Sequence, residues 1–162
     1  MHRLARAARV FAGAGVAITV CSVMALETGM PWCFPSLGPT AFLAVAAPES
    51  PANRPRRVLL GHAIAIVCGG LALWVFGLGD APPAFETGVD AARVGAVSLA
   101  LAATGGLAVL LDAEHPPAGA TTLIVALGLL RAPRDLALME VAVLVLVVVC
   151  AGLRRIGLSD VA

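Results

Sequence analysis

The sequence predicts an all-α integral membrane protein with four long transmembrane helices and two broken, half-helix segments, arranged as a 3+3 inverted repeat. Three observations carry this. Sixty per cent of the 162 residues are apolar and 13% charged, and mean hydropathy is +0.96. The charges gather between long apolar runs instead of spreading over helical faces, which excludes a soluble domain. Two apolar stretches are interrupted by proline and glycine where a spanning helix would otherwise run. Proline cannot donate a backbone hydrogen bond and glycine tolerates conformations a helix forbids.

The first long run, about 10–28, follows Arg3, Arg6 and Arg9. It resembles a signal peptide in outline, but more membrane sequence follows, so a retained first helix is expected. The other long runs are about 58–78, 91–111 and 136–153. Shorter apolar segments, about 37–47 and 118–130, each follow a Pro-containing stretch and precede a loop with Pro and Arg. Acidic, Pro-containing sequence from 79 to 90 joins the halves. Broken backbone at membrane depth is tolerated only where it is buried in protein or lines a cavity. The break around His115–Thr122 is therefore the expected working site.

The halves, about 10–78 and 91–153 of a single domain, align as a repeat. Pro35-Ser-Leu-Gly-Pro-Thr40 matches Pro116-Pro-Ala-Gly-Ala-Thr121, and Pro55-Arg56 matches Pro133-Arg134. In that register His62 falls opposite Glu140. If each short segment crosses the membrane, eight of the eleven arginines lie on the side of the N-terminus and three on the other. If each only dips in, the bias nearly vanishes. The positive-inside rule selects crossing, with both termini cytoplasmic and the chain in the inner (plasma) membrane. Three passages per half then turn the second half upside down, and substrate sites in such repeats form between discontinuous helices.

Near-zero net charge, +1 at pH 7, gives no basis for a nucleic-acid partner. Cys21, Cys33, Cys68 and Cys150 are dispersed without metal-ligand spacing and read as small hydrophobes. No metal or cofactor is expected. Asp112, Glu114 and His115 are nearly consecutive and lack the helical spacing of a metal site.

At His115-Pro116-Pro117 the chain resembles the HPP family of integral membrane proteins, named for that tripeptide. The likeness extends to Pro35-Ser-Leu-Gly38, Ala47-Pro48-Glu-Ser-Pro51, Pro55-Arg56, Gly61-His62 and Pro117-Ala-Gly-Ala-Thr121. Members are described as having four transmembrane helices, which counts only the long runs. The resemblance implies small-anion transport, because plant chloroplast members are associated with nitrite. Some members carry a cytosolic nucleotide-sensing CBS pair, which is not expected within these 162 residues.

The residues themselves suggest how an anion would be held. A half-helix that begins in the membrane is expected to leave N–H groups free at its N-terminus, where the helix dipole is positive. Gly38 and Gly119 would let the backbone approach a ligand. Ser36, Thr40, Thr121 and Thr122 would add hydroxyl donors, or cap the half-helices instead. His115 would attract an anion, relay a proton or cap a helix. His62 and Glu140 are further proton-coupling candidates, costly inside apolar spans unless paired or wetted. Arg93 reads as an interfacial anchor, and Gly69-Gly70 and Gly105-Gly106 as helix-packing positions.

A channel or transporter for a small inorganic anion, most of all nitrite, is the leading expectation, in a homodimer or larger assembly. A non-transporting accessory or scaffold subunit is the first alternative. A membrane-embedded enzyme is the second, and no catalytic motif in the sequence favours it.

Overall fold

Residues 2–158 are described by a computed structural model. They form seven α-helices: α1 His2–Thr28, α2 Leu37–Ala46, α3 Pro55–Val75, α4 Ala84–Thr87, α5 Ala91–Leu110, α6 Ala118–Ala126 and α7 Pro133–Arg155. A short 3-10 turn, Pro51–Asn53, precedes α3. Helices α1, α3, α5 and α7 are long and apolar enough to span a bilayer. There is no strand among the described residues.

Proline punctuation sets most of the boundaries. Pro55 and Pro133 are the first residues of α3 and α7, where a fixed φ suits a helix and no N–H is wasted. The spans therefore start three residues earlier than the apolar runs suggest. Helix α6 stops at Ala126 because Gly128 takes a left-handed turn (φ 78°). Its N–H and that of Leu129 then close on the carbonyls of Val125 and Ile124. The same motif ends α5, but there the left-handed residue is Asp112 (φ 52°). Among the described residues it is the one non-glycine with positive φ.

Arg57 holds that turn through the Asp112 carboxylate, while Arg56 donates to the carbonyls of Leu111 and Asp112 at 3.2 Å.

Contacts between helix ends trace the path of the chain. Arg6, near the start of α1, donates to the Ala46 carbonyl at the end of α2 (3.0 Å). Cys33, in the lead-in to α2, lies beside Ser22 near the other end of α1. Extended lead-in and half-helix together thus run back along most of α1. The second short segment runs beside α3 in the same way. Gly61 faces His115 and Ala118, and two turns further on Gly69 faces Thr122 and Val125. Arg154, closing α7, donates to the Pro48 carbonyl (3.4 Å). The start of α1, the end of α2, the start of α3 and the end of α7 therefore share one end of the bundle with the loop between α5 and α6. At the opposite end, Phe76, just past α3, meets Gly95 of α5, and Arg131 donates to the Gly79 carbonyl (3.1 Å).

Each half-helix sits in its own pocket of long helices. Helix α2 packs on α1 and α7, and α6 packs on α3 and α5; α1 also meets α7, α3 meets α5, and α3 meets α7. Exchanging α1, α2 and α3 for α5, α6 and α7 maps this set of helix pairs onto itself. Close approach depends on glycine at particular points, as expected where apolar transfer from water does not drive helix association. A Cβ on Gly69 would lie 2.7 Å from the Val125 Cβ, and one on Gly13 would lie 2.8 Å from Val45. Gly70, Gly105 and Gly106 meet no neighbouring atom that a Cβ would touch, so the packing role expected of both glycine pairs falls to Gly69 alone.

Arg93 is also not the interfacial anchor expected. It is buried and donates to the carbonyls of Ala126 (3.2 Å) and Pro82 (2.9 Å). Like Arg6 at Ala46, it caps the C-terminus of a half-helix with a cation, the arrangement the helix dipole favours.

Candidate functional site

The two half-helices bring four polar side chains into one buried cluster. Thr40 comes from α2, His62 from α3, His115 from the turn before α6, and Thr121 from α6. All four are buried, His62 and Thr121 completely. His62 Nδ1 lies 2.8 Å from Thr121 Oγ1, and its Nε2 lies 3.2 Å from Thr40 Oγ1. The same Thr40 oxygen lies 3.2 Å from His115 Nε2. His115 Nδ1 is 2.8 Å from the Ala52 carbonyl. The two imidazoles are 5.2 Å apart between centroids.

Donor and acceptor bookkeeping assigns the protons. A carbonyl only accepts, so His115 Nδ1 carries hydrogen and donates to Ala52. With His115 neutral, its Nε2 accepts, and the one Thr40 hydrogen has two acceptors in reach, the Ser36 carbonyl at 2.9 Å and this nitrogen at 3.2 Å; the chain closes when it turns to His115. His62 then donates from Nε2 to Thr40 and accepts at Nδ1 from Thr121. The result is an unbroken chain with one polarity, Thr121 to His62 to Thr40 to His115 to Ala52.

Thr40 has a second outlet, because its hydroxyl also lies 2.9 Å from the Ser36 carbonyl. If His115 takes up a proton, its Nε2 becomes a donor. Thr40 must then turn its own hydrogen to Ser36. One hydroxyl rotation thus answers the charge state of the imidazole.

The half-helix N-termini differ from what the sequence suggests. The Ala118, Gly119 and Ala120 N–H groups donate to the carbonyls of His115, Pro116 and Pro117, at 2.9, 3.0 and 3.1 Å. The tight turn of His115-Pro-Pro117 thus consumes the donors expected to be free in α6. Helix α2 offers more. Ser36 stands at its N-cap position without capping it, and the buried Ser36 Oγ has no hydrogen-bond partner. Gly38 is exposed, with open space where a Cβ would be. Gly119 instead lines a groove of about 240 Å³ with Gly61, Leu101, Thr104 and His115.

Thr122 points away from the histidines and donates to Thr104 (3.0 Å) or to the Ala118 carbonyl (3.3 Å). Glu140 stays outside the hydrogen-bonded cluster. It is half-buried and its Oε2 has no hydrogen-bond partner. The repeat register pairs His62 with Glu140, yet His62 bonds Thr40 and Thr121, the two threonines that the same register aligns. Ala52 and Thr104 carried no sequence signal: one acts through its carbonyl, the other is a lone threonine in an apolar helix. Asp112 and Glu114 both pair with Arg57, Glu114 at 3.6 Å.

The family described as HPP, transmembrane region, matches residues 1–156. No curated protein and no solved structure matches the chain.

Proposed function

The chain belongs to the HPP transmembrane family, and from that premise we propose that it carries a small inorganic anion across the membrane, with nitrite the foremost substrate. The observation that supports this reading most is the single-polarity chain Thr121–His62–Thr40–His115 at the meeting of two half-helices. Nitrite is the substrate that the family likeness implies.

The two halves are read as an inverted repeat. Segments placed alike in the two halves start at opposite ends of the bundle, and the helix pairs exchange as a repeat requires. Eight arginines stand at the end where α1 begins and three at the other, which favours a cytoplasmic arginine-rich end in the plasma membrane. Among the described residues, a Cβ on Gly105 or Gly106 would touch no neighbouring atom, and both would suit close packing against a second copy in a homodimer.

An anion in a buried site is unfavourable unless a counter-charge or hydrogen-bond donors accompany it. In this reading a proton on His115 supplies that charge, and Thr40 turns to Ser36 as it arrives. Ser36 Oγ, buried and without a hydrogen-bond partner, is then a donor for the anion. Release follows when the proton leaves His115 and Thr40 turns back. Anion and proton thus move together, and the protein itself consumes neither.

Nitrite flux into proteoliposomes under a pH gradient tests this, with chloride, nitrate and formate as competitors. Flux driven by the gradient is expected, and His115→Gln should uncouple it from the gradient. Absence of flux for every small anion tried would favour the accessory-subunit reading.

A further inference from the structure

Two clefts enter the protein from opposite ends and reach different depths. The cleft at the arginine-rich end, about 110 Å³, is lined by Thr40, Ala44, Asn53, Cys150 and Arg154 among others. It therefore reaches Thr40, the residue whose hydroxyl joins the two imidazoles. The cleft at the acidic end, about 420 Å³, is lined by Gly70, Trp74, Asp80, Val125 and Arg131 among others. It reaches Val125, and Thr121 is not in its lining. Val125 is fully buried and stands one helical turn beyond Thr121. It is pressed against α3 so closely that a Cβ on Gly69 would lie 2.7 Å from its Cβ.

The repeat makes the comparison between the clefts direct. Thr40 corresponds to Thr121, so Ala44, four residues on, corresponds to Val125. Each residue stands between the polar cluster and one mouth. At the arginine-rich end the position holds a single methyl and the cleft reaches through to Thr40. At the acidic end it holds a branched side chain and the cleft stops.

We propose that Val125, seated on Gly69, is the constriction of the anion path: it seals the polar cluster from the acidic end and sets the largest anion that crosses. The proposal rests on the transport reading and adds to it a location for the gate and a basis for size selection. Valine in a helix is nearly confined to one χ1 rotamer, so the seal does not open by rotation of its own side chain. It opens when α6 shifts against α3, and Gly69 puts no side chain in the way of that shift. The ligand class is a compact monovalent anion; Arg154, paired with Glu49, stands at one mouth, and Arg131, bonded to the Gly79 carbonyl, at the other.

The test uses the full chain in proteoliposomes with Val125→Ala and Ala44→Val, and a thiol probe that does not depend on flux. Removing a branched side chain from a size-limiting contact changes discrimination by about tenfold or more. Val125→Ala should therefore raise nitrite flux and admit a bulkier anion such as perchlorate, while Ala44→Val should lower flux. For the probe, Val125→Cys is made in a variant lacking the native cysteines. A charged, membrane-impermeant thiol reagent should fail to label it from the acidic end, while native Cys150 in otherwise unaltered protein is labelled from the arginine-rich end.

Folded Val125→Ala and Ala44→Val proteins with unchanged rate and anion selectivity, beside active wild type, would overturn the constriction and leave the transport reading standing. Rapid labelling of Val125→Cys from the acidic end would overturn the seal on its own. If wild-type protein moves no small anion, the transport reading falls and the constriction falls with it.

Discussion

Thr40 Oγ1 lies 3.2 Å from His115 Nε2, across 75 residues of sequence. That contact ties the first half-helix to the turn that opens the second. It is short enough to hold one hydroxyl to one imidazole, and the same oxygen reaches His62 at an equal distance. A single proton on Thr40 therefore decides which histidine nitrogen is a donor.

Replacing Thr40 tests the cluster directly. Thr40→Val keeps the shape and removes the hydroxyl, so both Nε2 atoms lose a partner inside the protein. Leaving a buried polar group unsatisfied costs about 1–3 kcal/mol. Thermal unfolding in detergent should show that loss, and nitrite flux should fall with it. Thr40→Ser restores the hydroxyl and should recover most of both. Equal stability of the Val and Ser variants would mean the contact holds nothing.

Adjacent glycines in α3 should respond oppositely. Gly69→Ala places a methyl against Val125, and overpacking of this kind costs about 1–3 kcal/mol. Gly70→Ala meets open space and should cost nothing, with a small gain from helix propensity. Val125→Ala should relieve the Gly69→Ala defect, so a double-mutant cycle on unfolding midpoints reads the contact itself.

Arg93→Gln should loosen the acidic end. The guanidinium satisfies the Ala126 carbonyl at the end of α6 and the Pro82 carbonyl in the 79–90 linker. A buried hydrogen bond to a charged group contributes about 1.5–3 kcal/mol. Hydrogen exchange should quicken in α4 and in the last turn of α6, while α2 keeps its protection. Uniform loss of protection throughout the bundle would assign Arg93 a global role instead.

Much of the architecture was legible in sequence because it rests on local chemistry. Proline at 55 and 133 starts helices, glycine at 128 ends one, and the two Pro/Gly breaks mark where α2 and α6 begin. Thr40 and Thr121 each fall in the first turn of the half-helix that follows a break. Other readings missed for a common reason. Arg93 looked like an anchor because its sequence neighbours are at a helix start, whereas its partners are 11 and 33 residues away. Free N–H groups were expected at Gly119, but the carbonyls of His115-Pro-Pro117 fold back onto them, which depends on turn geometry.

The sequence by itself determined the class of protein, the long spans, the two breaks and the residue types at the site. Hydropathy and the backbone limits of proline and glycine act within a few residues, so they can be read along the chain. Only the tertiary structure decided which polar groups meet. His62 was aligned with Glu140 but bonds Thr40 and Thr121, and His115 turns inward to Thr40 and Ala52. In an apolar interior a polar side chain is costly without a partner, and which partners meet follows from how α2 and α6 sit among α1, α3, α5 and α7.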